Sequence, residues 1–122
     1  MSVDSMTGLL LHQLGDLHAS ERQILLVWPT LVRRASSRNL KLALEEHRID
    51  TERHLARLYE AFEVLDSRPF GTRCRGMEAV LVECFANLAE HSDGPIRDAG
   101  LIADGRRVEA YEVAGYGTAR AL

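Results

Sequence analysis

One stretch of the chain combines the spacing of an α-helix with side chains that are unusual in a helical core. Around residues 38–65, apolar side chains recur every three or four residues, but histidine and threonine occupy the middle of that face. The positions are Leu40, Leu44, His47, Thr51, His54, Leu58, Ala61 and Leu65. This spacing predicts an amphipathic helix with this face toward the interior. Because burying an unpaired polar group costs about 1–3 kcal/mol, we expect the fold to supply partners for His47, His54 and the neighbouring Asp50.

The rest of the chain is also helical in character. Asp4 or Ser5 can cap a first helix that extends to about residue 35, and a second helix covers about 38–65. Breaks at 67–71 and 91–95 separate a third helix, over about 72–90, from a fourth that begins near Pro95 and extends to about residue 114 or beyond. No segment has the pattern of a strand. The short connections predict an all-α antiparallel helical bundle.

Carboxylates interrupt the apolar faces of two other predicted helices. Glu21 lies on the first-helix stripe, which consists of Leu10, Leu14, Leu17, Glu21, Ile24, Trp28 and Leu31. Glu109 and Glu112 lie on one face of the fourth helix, with Ile102, Gly105 and Tyr116. An alternative for Glu21 is an edge salt bridge with Arg22 or Lys41. The third-helix stripe has no carboxylate, so we expect it only to pack: Cys74, Met77, Leu81, Cys84 and Leu88.

Inward carboxylates and histidines from facing helices are the residues that build dinuclear iron or manganese centres in helical bundles. Two adjacent divalent cations repel each other, and carboxylate oxygens offset that repulsion while imidazole completes the coordination. The candidate metal ligands are Glu21, His47, Asp50, His54, Glu109 and Glu112. The alternative is a buried polar network without metal, in a non-catalytic oligomeric module. The sequence contains no CxxC, phosphate-binding glycine loop or GxSxG motif, and it assigns no reaction.

Composition narrows the functional classes. A chain of 122 residues is expected to form one domain, and a net charge of −3 provides no basic field for nucleic acid. No apolar run approaches the ~20 residues of a membrane span. The first residues lack the basic and apolar blocks of a secretory signal, so we expect a cytoplasmic protein. Cys74 and Cys84 are too far apart on one helix, at about 15 Å, to bridge each other.

Several segments together carry a specific resemblance. Residues 14–23 read LGDLHASERQ and residues 44–51 read LEEHRIDT. Residues 97–102 read RDAGLI, residues 107–112 read RVEAYE, and Tyr-Gly-Thr follows at 116–118. These segments resemble motifs of the YciF/YciE-like family of ferritin-like proteins over almost the whole chain. The resemblance implies a rubrerythrin-type helical bundle, a homodimer or higher homo-oligomer, and a link to bacterial stress responses.

The resemblance also implies a ligand set. Glu21 matches the glutamate of the first helix. Asp50 and His54 match the acid and the histidine of the second helix, and His47 is an alternative to His54. Glu109 matches the glutamate of a later helix, and Glu112 lies close to it in sequence. This sequence departs from the family at Asp50, where glutamate is usual, and at Ala110, where histidine is usual. Family members also continue beyond the Tyr-Gly-Thr segment into a further acid-rich helix. The resemblance therefore implies that the third helix is a crossover helix and that the domain at 1–122 is C-terminally truncated.

Overall fold

The computed structural model describes residues 3–122, which form four α-helices. They are α1 (Met6–Arg34), α2 (Arg38–Val64), α3 (Arg75–Glu90) and α4 (Pro95–Ala121). No strand occurs within this range. The predicted all-α bundle is confirmed.

The helix ends differ from the predicted ends mainly in α3 and α4. Ser5 caps α1 by accepting a hydrogen bond from the Gly8 amide at 2.9 Å. The third helix begins at Arg75 because its N-cap residue, Cys74, has extended backbone angles. The fourth continues to Ala121 despite Gly115 and Gly117.

Contacts between helices define their directions. Trp28 Nε1 donates to the Leu44 carbonyl at 2.7 Å, while Glu21, earlier in α1, contacts His54, later in α2. These two helices are therefore antiparallel. Asp98, at the start of α4, accepts hydrogen bonds from the amides of Ser36 and Ser37, which follow α1, at 2.7 and 2.9 Å. Because Glu112, further along α4, lies beside His54, α4 is antiparallel to α1 and parallel to α2.

The helix α3 packs against α1 and α4. Every residue of its predicted stripe is buried, from Cys74 to Leu88, which confirms its packing role. Gln23 fixes its first turn to α1, because the Gln23 side chain accepts from the Cys74 amide at 2.6 Å and donates to the Cys74 carbonyl at 3.2 Å. Both cysteines are buried free thiols.

The predicted inward face of α4 was wrong in part. The buried residues of this helix are Leu101, Asp104, Val108 and Glu112, whereas Ile102 is 46% exposed and Glu109 is also exposed. Only Glu112 belongs to both sets. The apolar residues of α4 do not form a single stripe, so sequence periodicity alone did not locate its inward face.

The connection between α2 and α3 lies directly on α1. His18 Nδ1 forms a hydrogen bond with the Gly71 carbonyl at 3.0 Å. Gly71 has a φ of +94°, and a Cβ atom at this position would overlap the Gly15 carbonyl oxygen. A glycine is therefore required at residue 71 both by its backbone conformation and by the close approach of the two segments.

Within the described part of the chain, no helix has the combination of length and apolar character that crossing a bilayer requires.

Candidate metal centre

Three helices each contribute one side chain to a compact group in the interior. His54 Nδ1 of α2 lies 2.9 Å from Glu21 Oε2 of α1 and 3.8 Å from Glu112 Oε2 of α4. One potential ligand atom from each of these side chains falls within 4.8 Å of the others. This trio, Glu21, His54 and Glu112, is termed the triad below.

The triad is buried on two sides and partly open on the third. Glu21 has no solvent exposure, and the Glu112 side chain is 8% exposed, whereas the His54 side chain is 35% exposed. Solvent therefore reaches the group along the α2 side. The two carboxyls are shielded from solvent while His54 is accessible, so an ion could reach the group from the surface.

Burial changes the protonation of the carboxyl pair. Desolvation raises the pKa of Glu21 from its usual 4.5 to about 10, and the neighbouring Glu112 carboxylate adds to the increase. Burial also acts to raise the pKa of Glu112, but contacts with His47 and Glu21 and the charge of His54 bring it below its usual value. Glu21 is therefore the protonated member of the pair and Glu112 the charged member.

His47 lies beside Glu112 on the far side of the triad. Its Nε2 is 3.3 Å from Glu112 Oε1, and its ring packs on Trp28 with a centroid separation of 4.6 Å. Although burial acts to lower the pKa of His47, contact with Glu112 raises it above its usual value. The contact with Glu112 therefore favours the protonated form of His47.

Tyr116 encloses the group from the next turn of α4. Its ring centroid is 5.6 Å from that of His54. Burial raises the pKa of Tyr116, and the nearby Glu21 and Glu112 carboxyls raise it further. Its hydroxyl is therefore a neutral, protonated group facing two carboxyls. Tyr116 could have been placed next to Glu112 from the sequence, because residues four apart lie on the same face of a helix.

Several buried polar atoms around the triad have no hydrogen-bond partner among residues 3–122. They are Glu21 Oε1, Glu112 Oε1 and Oε2, His47 Nδ1 and Tyr116 Oη. Buried polar atoms are nearly always paired in folded proteins. Unpaired carboxylate oxygens beside imidazole nitrogens are a donor set that fits a divalent cation such as iron or manganese, so the residues present fit a metal ion.

The six predicted ligands fall into three groups. The structure brings Glu21, His54 and Glu112 together and places His47 next to Glu112. Asp50 and Glu109 are exposed, and the Asp50 carboxylate instead pairs with Arg53 at 3.4 Å. Both of these acids nevertheless line the same open groove as His54 and Glu112. The groove has a volume of about 870 Å³.

Comparison with known proteins identifies the family. Residues 5–122 match the family described as domain of unknown function DUF892. The chain belongs to this family. YciF of Escherichia coli K12 is 28% identical over 123 residues, which cover all of this chain and 74% of YciF.

Two solved structures share the fold. YcfI from Rhodopseudomonas palustris superimposes with a TM-score of 0.95 at 32% identity, covering 98% of this chain and 76% of YcfI. The E. coli stress protein YciF superimposes with a TM-score of 0.89 at 27% identity, covering 95% of this chain and 74% of YciF. The resemblance to the YciF-type family is confirmed, and a ferritin-like fold is consistent with both matches.

Proposed function

We propose that this chain is a ferritin-like, stress-related protein that binds iron or manganese between α1, α2 and α4. The observation that carries the proposal is the triad: three potential ligand atoms from three helices lie within 4.8 Å of one another. The unpaired carboxylate oxygens of Glu21 and Glu112 support it. The description of E. coli YciF as a stress protein supports the physiological part.

Glu21, His54 and Glu112 are the proposed ligands of a first ion. A second ion needs further negative oxygens, because two adjacent cations repel each other. Asp50 and Glu109 line the groove beside the triad and are the proposed additional ligands, together with His47. A bound iron or manganese ion would supply one-electron chemistry toward dioxygen or peroxide.

The triad also has a route to solvent. The groove joins the partly exposed His54 to the surface, and its walls are mostly apolar, including Leu58, Ala61 and Val113. Small uncharged molecules such as dioxygen or hydrogen peroxide are compatible with such walls. The buried Tyr116 hydroxyl and the protonated Glu21 carboxyl are the chain's own proton carriers beside the triad.

Metal titration tests the proposal. Protein stripped with a chelator is titrated anaerobically with Fe²⁺ or Mn²⁺ by calorimetry, and metal retained after desalting is measured by mass spectrometry. We expect the wild-type chain to bind metal, the E21Q/E112Q variant to bind none, and E109Q to keep the first ion but lose the second. D104N is the control, because Asp104 is a buried α4 carboxylate paired with Asn87 at 2.9 Å. A metal-free wild-type protein would refute the proposal, as would equal binding by E21Q/E112Q.

A second candidate function is a non-catalytic helical module with a buried polar network. The observation in its favour is partial charge compensation, because Glu21 holds a proton and His47 lies 3.3 Å from the Glu112 carboxylate, which favours the charged form of that imidazole. In that case E21A and E112A, which each remove one buried carboxyl, alter stability and leave any redox activity unchanged. Loss of a ferroxidase or peroxidase signal in these variants, with the fold intact by circular dichroism, would eliminate this candidate.

A further inference from the structure

We infer that Trp28 positions the Glu112 carboxylate for metal binding, and that it acts through His47. The inference rests on the first ion proposed above and concerns the protein before any second ion binds. The indole ring offers only an N–H donor and no atom that binds iron or manganese. Trp28 is therefore a positioning residue and not a ligand.

Trp28 forms a fixed surface inside the bundle. Its side chain is 1% exposed and belongs to the same core cluster as Ile24 and Leu31 of α1. The indole Nε1 donates to the Leu44 carbonyl at 2.7 Å, and Leu44 precedes His47 by about one turn of α2. The indole is therefore attached to the part of α2 that carries His47.

The imidazole ring of His47 lies against this surface. The centroids of the two rings are 4.6 Å apart and the ring planes are inclined by 31°, a geometry within the range of stacked aromatic pairs. Histidines at metal sites usually have one ring nitrogen held by a hydrogen bond, which fixes the ring. The buried Nδ1 of His47 has no such partner among residues 3–122, so the indole face is what fixes the orientation of the imidazole.

His47 in turn contacts one oxygen of Glu112 and leaves the other for the triad. His47 Nε2 is 3.3 Å from Glu112 Oε1, whereas Glu112 Oε2 is 3.8 Å from His54 Nδ1. The contact with His47 is the shorter of these two imidazole contacts, and it holds the carboxylate with Oε2 directed toward the triad. The orientation of the indole is therefore transmitted through His47 to a proposed ligand atom.

This series of contacts fixes a ligand that could otherwise rotate. A glutamate side chain has several rotatable bonds, and ordering them costs conformational entropy. If the protein has already oriented the Glu112 carboxylate, an ion does not have to order it on binding. Replacing residues that orient the ligands of a metal site typically lowers metal affinity by about 10- to 100-fold. Because Trp28 acts on Glu112 through one intermediate residue, we expect the lower end of that range.

Calorimetric titration of the chelator-stripped whole chain with Mn²⁺ tests the inference at the first binding event. W28L removes the aromatic face and is expected to weaken binding about tenfold. W28F is the matched control, because it loses the same hydrogen bond to the Leu44 carbonyl but keeps an aromatic face against His47. We expect W28F to bind Mn²⁺ nearly as tightly as the wild type. Equal losses of affinity in W28L and W28F would overturn the inference.

A double-mutant cycle separates positioning from a general effect on the core. H47L removes the imidazole that transmits the effect, so adding W28L to H47L is expected to cause no further loss of Mn²⁺ affinity. If the losses of the two single variants add, Trp28 does not act through His47 and the inference is wrong, although the proposed metal site stands. A wild-type chain that binds no Mn²⁺ would refute the proposed function and this inference together.

Fluorescence of the metal-free chain tests the ring contact itself. Trp28 is the only tryptophan of the sequence, and an imidazole stacked on an indole quenches its emission. We expect H47L to raise the emission intensity. H18L is the control and is expected to leave it unchanged, because the His18 ring packs against Tyr59 and Phe62 instead. Equal emission from the wild type and H47L would show that the two rings are not stacked, and would overturn the inference.

Discussion

Glu21 is an ionisable side chain in a position that an apolar residue would normally occupy. It lies between Leu17 and Ile24 on the buried stripe of α1, with no exposure to solvent. The cost of ionising it there is what raises its pKa to about 10. Buried ionisable residues of this kind are common at functional sites. Such sites are often less stable than they would be with an apolar residue at the same position.

The metal-free protein should lose stability as the pH rises. The folded pKa of Glu21, about 10, is above its usual 4.5, so the folded state holds a proton that the unfolded state releases between these values. Each pH unit in that interval lowers the free energy of unfolding by up to about 1.4 kcal/mol. We expect the melting temperature to fall between about pH 6 and about pH 9 in chelator, and E21Q to remove most of the fall.

The pKa shifts of two neighbouring groups, His47 and Glu112, also change the stability with pH. The raised pKa of His47 also removes stability as the pH rises, so E21Q should leave a smaller residual slope. The lowered pKa of Glu112 removes stability only as the pH falls below its usual value. E109Q is the control, because Glu109 is exposed. Identical pH profiles for E21Q and the wild type would contradict the assignment of the buried proton to Glu21.

Sequence periodicity located single buried positions where the helix face was unambiguous. Glu21 and His54 were both predicted as ligands, and both are in the triad. Asp50 was predicted as well, but it lies one position before the fully buried Thr51 and its side chain points to solvent. A helix rotates about 100° per residue, so spacing alone cannot separate an inward position from its neighbour at the edge of a stripe.

At the level of helices, the apolar stripes of α1 and α3 were predicted correctly, and the face of α4 was not. The predicted stripe of α1 began at Leu10, which is only partly buried, and its other residues, from Leu14 to Leu31, are buried. In α4 the buried set includes the polar residues Asp104 and Glu112, and Val113 is exposed. Binary hydrophobic patterning assumes that polar residues face water and apolar residues face the core. Helix α4 departs from both parts of this assumption, because it buries acids and exposes a valine.

The connection between α2 and α3 gives a prediction at the same scale. G71A should destabilise the protein by about 2–4 kcal/mol, because alanine is strained at positive φ and its Cβ would displace the Gly15 backbone. G94A is the matched control: Gly94 has nearly the same φ, +92°, but no atom lies within 4 Å of an added Cβ among the described residues. It should cost about 1 kcal/mol. Urea unfolding measures both, and equal losses would show that the contact with α1 is unimportant.

For the whole molecule, metal binding should appear as added stability. An ion that binds only the folded chain raises the free energy of unfolding by about 2.7 kcal/mol at 100 times its dissociation constant. For a chain of 122 residues, this corresponds to a rise in melting temperature of roughly 10 °C. We expect scanning calorimetry to show this shift for the wild type with Mn²⁺ and no shift for E21Q/E112Q. A wild-type melting temperature that does not respond to saturating Mn²⁺ would contradict the prediction.

The triad also depends on completed topology. Glu21 and His54 are 33 residues apart, and 58 residues separate His54 from Glu112. Neither a single helix nor the α1–α2 hairpin brings all three side chains together, and such distant contacts form late because their loops must close first. An ion at this site would therefore not guide early folding of the chain. Such an ion would instead bind chains that have already folded, so metal content would measure the fraction of protein that has reached its native topology.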